Sequence, residues 1–189
     1  RRLPSDLKNL SGGLKIDAGP FGTFYPSNIT PDPETGIGKL TDPQLARIIR
    51  HGVAPAGGLD AFMSFAVGPI ADEDVTALVS YLRSIPPVRN AVKPDEWGII
   101  AKALSGKLGP NMAASPKYAA PGGVSVERGE YLANGPAVCF GCHSPFDATQ
   151  GFAAAGPRFS GALEPDPDET DATHEIIAPN LTSDPETGF

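Results

Sequence analysis

The sequence predicts an all-α fold with long loops. Three observations carry that prediction. Apolar residues recur at helical spacing, between recognisable start and stop signals, in only a few short segments. No stretch of useful length alternates apolar and polar residues as a strand would. The chain of 189 residues also holds 22 glycines and 21 prolines, which puts much of its backbone into turns and connections.

The first helix is expected from Thr41 to about Val53. Thr41 or Asp42 can cap it, Pro43 suits its first turn, Leu45, Ile48 and Ile49 share a face, and Gly52 is a natural stop. A loop from Ala54 to Pro69 follows, carrying Phe62, Met63 and Phe65. Asp72 is expected to cap a second helix. Acids crowd its first turn, Val75, Leu78, Val79 and Leu82 repeat at helical spacing, and Pro86-Pro87 ends it. Residues 91–123 read as a linker with one short helical stretch around Trp97–Leu104. A third main helix starts near Ser125 and runs through Arg128, Tyr131 and Leu132, and residues 144–189 read mostly as loop.

Acidic residues number 22 and basic residues 15, for a formal net charge of −7. That balance argues against nucleic acid and against a polybasic membrane anchor. No window is apolar enough for a transmembrane helix, and residues 1–30 show no signal-peptide core. A loop-rich chain of this size buries little apolar surface of its own. Two cysteines allow at most one disulfide. A large bound cofactor is the remaining candidate for a core.

One internal repeat stands out. Asn28-Ile-Thr-Pro-Asp-Pro-Glu-Thr-Gly36 returns as Asn180-Leu-Thr-Ser-Asp-Pro-Glu-Thr-Gly188, with seven of nine positions identical. Ser11–Leu14 and Ser160–Leu163 share a Ser-Gly-small-Leu pattern. Two copies of one domain, differing by a small insertion, explain both. The first copy has two helices after its motif. The second has a helix and a cysteine cluster before its own. The chain is therefore expected to be the back part of one domain followed by the front part of the next, within a longer protein. The boundaries are 1–92, a linker at 93–123, and 124–189.

Both cysteines lie in Cys139-Phe140-Gly141-Cys142-His143. Cys-x-x-Cys-His is the spacing of covalent haem c attachment. Two thiols one helical turn apart reach the two vinyl groups of a porphyrin, and the adjacent imidazole faces the iron. A thioredoxin-like redox pair would want preceding strands. A zinc site would want a second ligand pair, yet His51 and His174 are isolated. A structural disulfide leaves His143 without a role. A distal ligand is sought among Met and His. Met63 lies between two amphipathic helices, whereas Met112 lies in the linker. His51 reads as a helix-end or surface residue, and His174 sits in an acidic loop.

On these residues the sequence resembles the tandem di- and multihaem c-type cytochromes, including periplasmic cytochrome subunits of dehydrogenases. The resemblance runs through Arg128-Gly-Glu-Tyr-Leu132, Cys139–His143, Asn28–Gly38, Leu45–Gly52, Met63 and Asp72–Leu82. It implies two cytochrome c-like domains, each incomplete here. It implies haem c at Cys139, Cys142 and His143, and Met63 as distal ligand of another haem. It also implies that the carbonyl of Gly156-Pro157 orients the proximal imidazole.

The resulting expectation is electron transfer, with a dehydrogenase as donor, a cytochrome or oxidase as acceptor, and a periplasmic location, membrane-associated through another segment or a partner. A haem-dependent oxidoreductase such as a dihaem peroxidase is the alternative. No Ser/His/Asp grouping, phosphate loop or apolar carboxylate pair suggests other catalysis. Glu164–Thr170 reads as a solvated acidic loop, with calcium binding as a minor alternative.

Overall fold

The computed structural model describes residues 10–55, 57, 63, 67–105, 119–147, 153–162, 165–167 and 175–189. The chain divides into two compact units, Arg1–Ala119 and Ala120–Phe189. The described regular structure is mostly helical, and no described strand exceeds the three residues of Gly22–Phe24.

In the first unit, α1 spans Asp42–His51. Its N-terminus is a reciprocal capping box. The Thr41 hydroxyl accepts from the Gln44 amide, and the Gln44 side chain accepts from the Thr41 amide. Gly52 closes the helix in the left-handed region, with φ 64°. Helix α2 spans Asp72–Ser84 and stops at Ile85, which takes the extended backbone that a following proline demands. The expected cap is corrected: Ala71 occupies the cap position, and the Asp72 carboxylate is engaged by Arg50 instead.

Ile37, Leu45, Ile49, Ile70, Val75 and Val79 form the core of this unit, flanked by Leu40, Ala46, Val67 and Leu82. Both helices bury one stripe against this cluster, as their apolar spacing predicts. Two arginines hold the pair together. Arg50, in the last turn of α1, donates to the carbonyls of Gly68 (3.2 Å) and Ile70 (2.9 Å) and pairs with Asp72. Arg83, in the last turn of α2, donates to the carbonyls of Ile37 (3.1 Å) and Leu40 and to Asp42 (3.0 Å).

The linker expectation is corrected at its first part. Strand β3 (Glu96–Trp97) completes a small antiparallel sheet with β1 (Ile16–Asp17) and β2 (Gly22–Phe24), pairing Thr23 with Glu96 and Gly22 with Trp97. Helix α3 (Ile99–Ser105) packs against the 3-10 turn Gly19–Phe21. The Gly98 amide donates to the Phe21 carbonyl at 2.7 Å, and the Tyr25 amide to Asp95 at 2.8 Å. The approach is too tight for side chains: a Cβ on Gly22 would lie 2.1 Å from the Glu96 carbonyl oxygen. These contacts join residues about seventy positions apart, so no local pattern announces them.

In the second unit, α4 spans Val126–Asn134, with the Ser125 hydroxyl accepting from the Arg128 amide. Helix α5 is the single turn Cys139–His143. Two-residue ladders pair β4 (Phe146–Asp147) with β5 (Ala153–Ala154), and β6 (Asp166–Pro167) with β7 (Glu175–Ile176).

The sequence repeat is also a structural repeat, with the same bonds closing both turns. Asp32 accepts from the amides of Glu34 and Thr35 and from the Thr35 hydroxyl. Asp184 does the same with Glu186 and Thr187. Asn28 joins Thr30 to Thr35, and Asn180 joins Thr182 to Thr187. The Ile29 amide donates to Leu10, and the Leu181 amide to Phe159. Leu10 and Phe159 both sit at positive φ, 55° and 66°. A Cβ on Gly36 would meet the Thr30 carbonyl at 2.2 Å, and one on Gly188 the Thr182 carbonyl at 2.1 Å, so both turns close only on glycine.

Candidate functional site

The Cys-x-x-Cys-His segment forms α5, and Phe140 anchors it. That side chain is buried (2% exposed), meets Phe146 edge-on at 6.4 Å between ring centroids, and lies under the Arg158 guanidinium at 4.7 Å. Tyr131, buried on α4, belongs to the same unit, and α4 packs against α5. With Phe140 turned inward, Cys139 is left half-buried and Cys142 exposed, and both thiols are free. One turn of helix separates them, so they emerge on neighbouring positions of one face.

His143 is held at two points. Its carbonyl accepts from the Gly161 amide at 2.9 Å. Its Nδ1 lies 2.8 Å from the Pro179 carbonyl oxygen. A carbonyl only accepts, so Nδ1 is the donor in this contact and Nε2 is the nitrogen left to face a metal. A backbone carbonyl on one ring nitrogen is the arrangement that orients ligating histidines. The expected carbonyl partner is corrected here. Pro157 accepts from the amide and hydroxyl of Ser160, and Pro179 serves His143. Bonds from the Ala162 amide to the Ala178 carbonyl (3.0 Å) and from the Leu181 amide to the Phe159 carbonyl (2.7 Å) flank Pro179 and hold it beside the imidazole.

Val138 precedes α5 at φ 51°, a left-handed conformation that a β-branched residue adopts only under constraint. Helix α5 therefore begins on a strained backbone.

Met63 lies in the first unit, helical and half-buried. Phe62 and Phe65 lie outside the described residues, as do Met112 and His174 and most of Glu164–Thr170. His51 is the last residue of α1. It is half-buried rather than a surface residue, and among the described residues its Nδ1 is a buried side-chain nitrogen without a hydrogen-bond partner. No cluster of three or more His, Cys, Asp and Glu side chains that could hold a metal ion occurs among the described residues. Sequence reasoning missed Pro179 and Arg50. The repeated motif beginning at Asn180, directly after Pro179, was the available signal for the first. Two free thiols, an imidazole with an open Nε2, and a buried anchor between them fit a covalently tethered haem.

No described helix is long and apolar enough to cross a membrane. No family model matches the chain. Among curated proteins it is similar to the cytochrome c subunit of the quinone alcohol dehydrogenase of Gluconacetobacter polyoxogenes. They are 34% identical over 198 residues, covering 96% of this chain and 40% of that protein. It is 35% identical over 150 residues to the gluconate 2-dehydrogenase cytochrome c subunit of Pantoea cypripedii, covering 74% of this chain and 33% of that one. It is 33% identical over 144 residues to a "diheme cytochrome c-type" protein of Cereibacter sphaeroides, covering 72% and 47%. The chain thus spans less than half the length of each of these relatives. With Cys-x-x-Cys-His on its own helical turn and relatives named as cytochrome c subunits and as a diheme cytochrome c, the chain belongs to the multihaem c-type cytochromes.

Proposed function

We propose that the chain transfers electrons through haem c, taking them from a dehydrogenase and passing them to a respiratory acceptor in the periplasm. The observation that carries the reading is the α5 donor set: Cys139 and Cys142 free on one turn, and His143 with Nδ1 tied to Pro179. In this reading the two thiols hold haem c by thioether bonds, and His143 Nε2 is its proximal ligand. Met63 is the distal ligand of another haem, so each unit is part of a cytochrome c-like domain. Bound haem supplies a one-electron ferrous–ferric couple.

The protein's part is to keep the surroundings unchanged between the two oxidation states. His143 is restrained at ring and backbone, so it need not reorient when charge changes. A thioether at the distal position favours the softer ferrous state over a second imidazole. The alcohol and gluconate dehydrogenase names of the relatives support a dehydrogenase donor.

The test uses the whole reading frame expressed in a host competent for cytochrome c maturation. An alkaline pyridine spectrum should show thioether-type haem that resists extraction by acidified butanone. Changing Cys139 and Cys142 to Ala together should remove one haem equivalent. Colourless protein, or full haem content in that double variant, overturns the proposal.

A further inference from the structure

We infer that Arg50 is a positioning residue for the distal ligand: by gripping the chain at Gly68 and Ile70 it holds the Met63 segment in place from its C-terminal side. The inference rests on the reading of Met63 as a haem ligand. Between α1 and α2 the chain is anchored at both ends. Gly52 closes α1 at one end, and the Arg50 guanidinium binds the carbonyls of Gly68 and Ile70 and the carboxylate of Asp72 at the other. Met63 lies between these anchors, five residues before Gly68. The Arg50 side chain is only 12% exposed, so its hydrogen bonds compete little with water.

A thioether is a weak ligand, and an added imidazole can displace it. The contest depends on how high a local concentration of sulfur the chain maintains at the iron. Loop-closure entropy changes slowly with length, so freeing a few residues matters little by that route. What the clamp adds is direction. One planar guanidinium spans two carbonyls and a carboxylate with donors of fixed direction, where an ammonium offers a compact charge with rotatable donors.

Arg83 provides a control within the same unit. It makes the same kinds of bonds, but to Ile37 and Leu40 before α1 and to Asp42 at the start of α1. Its loss should weaken the fold without touching the Met63 segment.

The experiment uses the haem-loaded protein with its whole reading frame, ferric, titrated with imidazole while the near-infrared sulfur–iron band is followed. Arg50→Lys should raise the apparent imidazole affinity about tenfold or more, through the lower effective concentration of sulfur. Arg83→Lys should lower the melting temperature comparably yet leave imidazole affinity within about twofold, since separated sites act independently. Asp72→Asn loosens the same clamp from its acidic side and should give a rise of about threefold, an exposed charge contributing less than the carbonyl bonds. It serves as the test if the lysine variant fails to accumulate. Unchanged affinity in Arg50→Lys, or in Asp72→Asn where that variant stands in, overturns the inference. So does an equal rise in Arg50→Lys and Arg83→Lys, which would mark general loosening. A parent protein without the band, or a Met63→Ala variant that keeps it, overturns the ligand reading itself and the inference with it.

Discussion

Arg50 and Arg83 make the same set of contacts in opposite directions. Each sits in the last turn of its helix, donates to two carbonyls of the segment leading into the other helix, and pairs with the aspartate that begins that helix, Asp72 or Asp42. Charged donors thereby satisfy carbonyls at both ends of an antiparallel pair. The apolar cluster between the helices supplies the adhesion, and the arginines set the register.

The carbonyl bonds should outweigh the ion pairs in this arrangement. Asp42 is 68% exposed, and a pair so wet contributes about 1 kcal/mol or less. Bonds from a guanidinium to half-buried carbonyls are stronger, so Arg83→Ala should cost about 2 kcal/mol. Asp42→Asn should cost less than about 1 kcal/mol. Urea unfolding of both variants compares them directly, and equal losses would contradict the ranking.

Asn28 and Asn180 occupy equivalent places but carry unequal burdens. Asn28 is buried (4% exposed) and also donates to the Val88 carbonyl at 2.8 Å, tying its loop to the chain after α2. Its removal takes the acceptor from the buried Thr30 amide and one of two side-chain donors from the Val88 carbonyl, at a cost of about 2–3 kcal/mol. Asn180 is half-buried, and water can replace it, so Asn180→Ala should cost about 1 kcal/mol or less. Thermal unfolding of the two alanine variants measures the difference.

Val138 stores strain just before α5. A left-handed backbone costs an L-residue about 1–2 kcal/mol, which glycine escapes. Glycine also gains freedom in the unfolded chain, so the net gain from Val138→Gly should be about 0.5–1 kcal/mol. A lower denaturation midpoint instead would show that the valine side chain's packing exceeds the strain.

Acid should act through the paired aspartates. Hydrogen bonds from the Thr35 hydroxyl and amide hold Asp32 below the ordinary carboxylate range, and those from the Thr187 amide and hydroxyl do the same for Asp184. A depressed folded-state pKa means the stabilisation is complete above the unfolded value, about 3.9, and is lost as pH falls through the folded value. Asp32→Asn and Asp184→Asn should therefore be less stable than the parent at pH 7. The gap should shrink steadily as pH drops below about 3.9. Melting curves from pH 7 down to acid test this, and a gap independent of pH would rule it out.

Much of the local structure was legible in the residues themselves. Thr41, Gln44 and Gly52 bound α1 by short-range capping, and Ser125 starts α4 in the same way. The duplicated Asn-to-Gly motif closes on its own side chains, so two copies of the words give two copies of the turn. The Cys-x-x-Cys-His unit needs only one helical turn to align its donors. Asp72 shows where such reasoning slips. Its type and place suggest a cap, but an arginine twenty-two residues earlier takes the carboxylate.

Capping, turn closure and thiol spacing depend on residues within a few positions of each other, so the amino-acid order alone determined them. The pairing of Gly22 with Trp97, the contact of Pro179 with the imidazole of His143, and the arginine bonds to Gly68 and Ile70 join residues 18 to 75 positions apart. Those contacts depend on the path the backbone takes between them, and only the folded chain decided it.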